Sequence, residues 1–247
     1  MKKQIPNIIT TLNLLFGCVA ILFVVSGDLI AASFLILIGI FFDFFDGLAA
    51  RLLHAQSEVG VQLDSMADLI TSGLAPSLIM VQLLSKSYTG EFIDINSLFS
   101  IPGWNTYLIS YMPLLGLLII IASAYRLAKF NIDTRQTDRF IGLPTPANTL
   151  LILSLPLIYH FQYSELVENI IFNKWFLIGL TLLSSILLNA ELPLFALKFK
   201  TWDFKSNTIR YVFLALCLLA IIALKFIAIP VLIGLYIVMS LFWKEEG

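Results

Sequence analysis

The chain has 247 residues, 59% of them hydrophobic and only 13% charged, with a mean hydropathy of +0.94 and a formal net charge of -1. This balance excludes an ordinary soluble domain and a nucleic-acid binder working through a basic surface; it marks an integral membrane protein. The two cysteines, Cys18 and Cys217, fall in separate apolar runs without metal-ligand spacing and read as packing residues, not as a bridge or a zinc site.

A hydrocarbon core of about 30 Å requires about 20 apolar helical residues, and eight runs approach that requirement. The first, 8–26, follows Lys2 and Lys3; its Thr10, Thr11 and Asn13 and the lack of a small-residue cleavage site argue against a signal peptide. Asn7, Thr10 and Asn13 recur at three-residue intervals, a stripe that bonds to neighbouring helices or borders a pocket, the first reading being the simpler. The second run, 29–53, carries Asp43, Asp46, Gly47, Ala50 and Arg51, and the third, 60–84, carries Gly60, Asp64 and Asp68. A fourth, 107–130, contains Arg126 near its end, and 147–163, 172–190, 208–224 and 226–243 complete the series. The last two are divided at Lys225 and Pro230; undivided, they would leave seven spans. The longer polar stretches are 85–106, expected outside, and 131–146 and 191–207, expected inside, where they lie against the membrane surface or roof a site. With the N-terminus inside, twelve of the fifteen Lys and Arg residues fall on the cytoplasmic side and only Lys86, Lys174 and Lys225 outside. The expectation is one all-α membrane domain over 1–247, an eight-helix bundle in the cell (inner, cytoplasmic) membrane with both termini cytoplasmic.

A carboxylate at bilayer depth costs at least about 2.5 to 3.5 kcal/mol, so Asp43, Asp46, Asp64 and Asp68 must face the protein interior and meet something cationic. Asp43, Asp46, Gly47 and Ala50 are spaced to share one face of the second helix; Gly60, Asp64 and Asp68, at intervals of four, share one face of the third. The two faces must meet, and a divalent cation with oxygen ligands, Mg²⁺ or Mn²⁺, relieves the repulsion. Gly47, Ala50 and Gly60 let helices pack closely or leave room for a ligand, the second reading being favoured for Gly47 and Gly60 next to the aspartates, and Arg51 stands at the cytoplasmic mouth as a bidentate cation for phosphate oxygens, or simply as an interface anchor. Carboxylates, metal, arginine and small residues together suit a phosphate-bearing nucleotide. A cation transporter is the rival reading, but its site would need helices broken near mid-membrane, and Arg51 would repel the passing ion. His54, alone at a helix end, reads as a surface residue, and Phe41, Phe42, Phe44 and Phe45 read as facing lipid and neighbouring helices.

The residues D-x-x-D-G-x-x-A-R from Asp43 to Arg51, then G-x-x-x-D-x-x-x-D from Gly60 to Asp68, resemble the signature of the CDP-alcohol phosphotransferase family at every fixed position. IPNIITTLNLLFG, the segment through EVGVQLDSMADLITSGLAPS, YRLAKFN and GLPTPAN resemble its bacterial and archaeal phosphatidylserine synthase branch and cover most of residues 5–148. Thr71-Ser72-Gly73 departs from the Ser-Phe-Gly of many relatives, a change expected in the pocket wall. The resemblance implies a dimeric bundle on a six-helix core, with two helices added here. It implies two metal ions held by Asp43, Asp46, Asp64 and Asp68, with Asp68 also the general base, and CDP bound by Gly47, Ala50, Arg51 and Gly60. The implied substrates are CDP-diacylglycerol and L-serine in a bed of membrane lipid, with CMP as a product; glycerol 3-phosphate, inositol phosphate or choline are the alternative acceptors. Serine's carboxylate requires a cation, for which Arg126 is the candidate, its other reading being an interface anchor; Arg135 and Arg139 follow in the next polar loop.

Overall fold

The computed structural model describes residues 4–93, 111–133, 139–195 and 208–242, and within these the fold is helical apart from one short ribbon. Helices α1 (Ile5–Val25) and α2 (Leu29–Leu52) form a hairpin. Gly27 takes φ +85°, the left-handed conformation that glycine adopts cheaply, and the Asp28 carboxylate caps α2 by accepting from the Ala31 amide at 2.9 Å. Ser57 caps α3 (Glu58–Asp68) in the same way, accepting from the Gly60 amide at 3.0 Å. A six-residue π-turn, Leu69–Leu74, carries α3 into α4 (Ala75–Thr89), so the helical span runs unbroken over 32 residues, Glu58–Thr89.

A 3₁₀ turn, Met112–Leu117, opens α5 (Leu118–Ile132) and seats Gly116 on α4, where a Cβ would come within 2.7 Å of the Val81 amide nitrogen. Strand β1 (Arg139–Ile141) pairs antiparallel with β2 (Pro193–Phe195), Arg139 opposite Phe195. Between them run α6 (Thr145–Phe161), α7 (Glu165–Ile171) and α8 (Lys174–Asn189), the last two bent by 56°. Helix α9 (Thr208–Leu224), a 3₁₀ turn at Lys225–Ile227 and α10 (Ala228–Phe242) follow. The main core is sealed by Ile36 of α2, Ile79, Leu83 and Leu84 of α4, Ile152, Leu153 and Leu157 of α6 and Leu177 of α8. Large apolar side chains elsewhere point outward, as lipid-facing surfaces do.

Among the described residues five helical stretches are long and apolar enough to cross a membrane, or up to six if α7 and α8 make one bent span, and the chain is a multi-pass membrane protein. Two features separate this count from the expected eight. Helix α6 has only 17 residues. The run Tyr211–Leu241 counts as one stretch of 31 residues, but the Phe213 and Tyr236 rings meet with centroids 5.8 Å apart and planes tilted by 50°, a contact possible only if the chain turns back between them. The turn lies at Lys225, whose φ is +51°, and Gln162 braces it, donating to Leu224 O at 3.0 Å and accepting from the Ile227 amide at 3.1 Å. Other expectations shift at their edges. Helix α4 continues to Thr89, into the expected outer loop, and α7 and the ribbon fall in stretches read as irregular. The two strands come from the two loops expected inside, and they pair with each other. Residues 107–110 of the fourth expected span lie outside the described residues.

Candidate active site

Helices α2 and α3 bring their acidic faces together as the spacing requires. One carboxylate oxygen each from Asp43, Asp46 and Asp64 lie within 4.8 Å of one another. Asp68, one turn further along α3, joins from the side, and Asp43 is within hydrogen-bonding reach of both Asp64 and Asp68. Helix α1 supplies the polar surround. Asn13 Nδ2 donates to Asp43 Oδ1 at 3.5 Å, and the Thr10 hydroxyl lies against Asp46 while donating to Pro6 O at 3.0 Å. Among the described residues none of the four aspartates forms an ion pair, and Asp46 Oδ2, Asp68 Oδ1 and Asn13 Oδ1 are buried without a hydrogen-bond partner.

Two like charges 4 Å apart repel by about 4 kcal/mol at an effective dielectric of about 20, so this cluster is unfavourable without a compensating cation. The donors are all oxygen, several carry unused lone pairs, and three converge on one point. That donor set fits a hard divalent cation and is poorly suited to zinc or copper.

Beside the aspartates opens a cavity of about 210 Å³. Asp46, Gly47, Ala50 and Arg51 line it from α2, Gly60, Val61 and Asp64 from α3, Pro6, Asn7 and Thr10 from α1, and Ala55, Gln56 and Ser57 from the connecting loop. A Cβ built on Gly47 would meet nothing within 4 Å, so this glycine leaves open space. On Gly60 it would come 3.1 Å from Ser57 Oγ and 3.2 Å from Asn7 Oδ1, so a side chain there would press both neighbours back by a few tenths of an ångström. Asn7 and Thr10 thus face the cavity, the reading placed second for the polar stripe, while Asn13 bonds across to α2. Gln56 and Ser57 went unnoticed in the sequence because they belong to a loop without periodicity. His54 is exposed with φ +47°, and Phe41, Phe44 and Phe45 are exposed while Phe42 stacks on Phe16 at 5.4 Å.

Thr71-Ser72-Gly73 occupies the π-turn and does not wall this cavity, contrary to expectation. Thr71 is fully buried where α1 and α2 cross, its hydroxyl donating to Asn13 O at 3.1 Å. Gly17 and Gly39 make that approach possible, since a Cβ on Gly39 would lie 2.6 Å from Thr71 Cγ2. Ser72 O accepts from Thr149 of α6 at 2.8 Å, and Gly73 packs on Ser123 of α5. The turn is therefore a junction of four helices adjoining Asp68.

Arg126 of α5 is 7% exposed, which does not suit an interface anchor. Its guanidinium interacts electrostatically with Asp68, Nη1 approaches the Thr145 hydroxyl at 3.5 Å, and Nε is buried without a hydrogen-bond partner among the described residues. One turn earlier the Ser123 hydroxyl is likewise buried and unpartnered. Neither Arg126 nor Asp68 lines the cavity, so the aspartates have the cavity on one side and a buried cation on another. Arg135 lies outside the described residues, and Arg139 belongs to β1.

A family model described as CDP-alcohol phosphatidyltransferase matches residues 3–188. The chain is 29% identical over 238 residues to a CDP-diacylglycerol–serine O-phosphatidyltransferase of Helicobacter pylori, covering 94% of this chain and 87% of that one. It is 36% identical over 158 residues to the Bacillus subtilis protein of the same name, covering 64% and 78%, and 30% identical over 167 residues to the archaetidylserine synthase of Methanothermobacter thermautotrophicus, covering 66% and 60%. The family match takes in the four aspartates, the cavity and Arg126, and stops before α9.

Proposed function

The chain belongs to the CDP-alcohol phosphatidyltransferase family, and on that premise we propose that it transfers the phosphatidyl group of CDP-diacylglycerol to the hydroxyl of L-serine, giving phosphatidylserine and CMP. The observation that carries the reading is the convergence of Asp43, Asp46 and Asp64 beside a cavity walled by small residues and Arg51. The acceptor follows from the names of the relatives and from the buried Arg126 next to Asp68.

Asp43, Asp46, Asp64 and Asp68 would hold a divalent metal, Mg²⁺ or Mn²⁺, as two ions if the family pattern applies. Bound there, it supplies neutralisation of the diphosphate and polarisation of its oxygens. The chain's own groups do the rest. Gly47, Ala50 and Gly60 let the nucleotide lie close to backbone, and Arg51 offers paired N–H donors to phosphate oxygens. Arg126 receives the serine carboxylate and so fixes the hydroxyl near the reacting phosphorus. As the serine oxygen forms its bond to the lipid-bearing phosphorus, the bond from that phosphorus to the CMP phosphate oxygen breaks, and CMP leaves with the electron pair. Asp68 takes the hydroxyl proton. It lies outside the converging trio, and its Oδ1 has no hydrogen-bond partner among the described residues.

The wider arrangement belongs to the same proposal: a single membrane domain of eight crossings in the cytoplasmic membrane, both termini and the site facing the cytoplasm, assembled as a homodimer. The test is CMP release by the purified protein in detergent micelles of CDP-diacylglycerol, comparing L-serine, glycerol 3-phosphate and inositol phosphate with and without EDTA. Release that needs both serine and metal is expected. Release with another acceptor would keep the family and overturn the substrate, and release undiminished by EDTA would remove the metal. Asp68→Asn should stop turnover while CDP still binds.

A further inference from the structure

The loop that joins α2 to α3 is pinned on both sides of Gln56. His54 adopts φ +47°, a left-handed conformation that a non-glycine residue takes at some cost. The chain doubles back there, the Leu53 amide donating to Ala49 O at 2.9 Å and the Ala55 amide to Ala50 O at 2.9 Å. Ala55 is buried, and the Ser57 hydroxyl is committed as the cap of α3. Gln56 stands between these two anchors, exposed and lining the cavity, and among the described residues no hydrogen bond engages its carboxamide.

The level of that carboxamide in the cavity follows from the rise of α3. Asp46 and Asp64 mark the end where a diphosphate would meet the metal. At about 1.5 Å per residue, Gly60 lies about 6 Å beyond Asp64, and Ser57, at the head of the helix, about 10 Å beyond it. That is the reach of a ribose followed by its base, so the base falls at the connecting loop. Asn7, whose Oδ1 stands 3.2 Å from where a Gly60 Cβ would be, is level with the ribose, and Gln56 is level with the base. Cytosine presents an exocyclic amine beside a ring-nitrogen acceptor. A carboxamide matches that edge, its oxygen accepting from the amine and its N–H donating to the ring nitrogen.

We infer that Gln56 grips the base of the bound nucleotide, from a loop set in place before the ligand arrives. The inference rests on the CDP reading above and divides the work of that site: the aspartates and Arg51 hold phosphate, and the connecting loop holds the base. Because the backbone on either side of Gln56 is already fixed, only one side chain loses freedom when the base binds.

The test titrates CDP and, separately, inorganic pyrophosphate into the purified protein in detergent with Mg²⁺ present, for the wild type, Gln56→Ala and Gln56→Met. The methionine keeps the length of the side chain and loses its polar edge. Both variants should bind CDP about tenfold more weakly, as loss of a paired contact to a base edge predicts, while pyrophosphate, which has no base, should move by less than about twofold. Unchanged CDP affinity in both variants, full affinity in Gln56→Met, or equal losses for CDP and pyrophosphate would each overturn the assignment. A wild type that binds no CDP would instead overturn the nucleotide reading, and this inference with it.

Discussion

The span from α3 through α4 and the hairpin α9–α10 are both apolar enough for a bilayer, but they use that property in opposite ways. In the best apolar window of Glu58–Thr89, 72% of residues are buried inside the protein, against 11% for Tyr211–Leu241. The hairpin turns Leu218, Leu219 and Ile222 outward and is held mainly by the Phe213–Tyr236 cluster and the Gln162 brace at Lys225. The α3–α4 span is held by helix crossings and carries polar atoms with no partner. Apolarity alone therefore decides only residence in the membrane. The place of the chemistry is given by polar groups buried at the expense of their solvation.

That contrast can be broken by substitution on either side of it. Asp64→Asn, at the centre of the converging carboxylates, should lower serine-dependent CMP release by about a thousandfold, the rate equivalent of several kcal/mol of lost charge stabilisation, with the helical circular dichroism unchanged. Wild-type turnover in that variant would dissolve the distinction between the two regions. Arg126→Ala should raise the serine KM by about 10- to 100-fold and the lipid KM far less, as loss of a charge-assisted bond predicts; equal effects on both would return Arg126 to a structural role. Within the buried region two glycines divide packing from function. Gly39→Val should cost about 1 to 3 kcal/mol and lower the thermal midpoint, because its Cβ would meet Thr71 Cγ2 at 2.6 Å. Gly47→Ala, with nothing within 4 Å, should leave the midpoint alone and weaken CDP binding measured by titration. The smallest effect is expected on the lipid-facing side: Ile222→Ala should change stability by no more than about 0.5 kcal/mol and activity not at all. A large loss there would mean that the hairpin's outer surface is covered by protein.

The meeting of the aspartates was legible in the sequence because spacings of three and four residues fix a helix face, and charge in an apolar run forbids the face from turning to lipid. The break at Lys225 was legible for a similar reason, a charge in the middle of a run too long for one crossing. The ribbon was not, since strands of three residues more than fifty positions apart leave no periodic trace. Nor was the neighbourhood of Thr71. A regular helix of 3.6 residues per turn puts it on the wall of the pocket, and the π-turn moves it to the crossing of α1 and α2. Arg126 could be nominated as the cation nearest the end of its run, but its burial and its approach to Thr145 depend on contacts between distant helices.

The π-turn at Leu69–Leu74 also makes this protein unequally tolerant of two kinds of genetic change. Each residue added to or removed from a helix turns everything beyond it by about 100°. The turn acts as a phase adjuster, letting the half that bears Asp64 and Asp68 and the half buried in the core each keep its own rotational setting within one continuous rod. Many side chains in it could be exchanged for others of similar size. Loss of a single codon within the turn would shorten it to a regular helix with both halves still in phase, whereas the same loss within α4 would swing both aspartates away from α2, so a lineage can drift in length only at the turn.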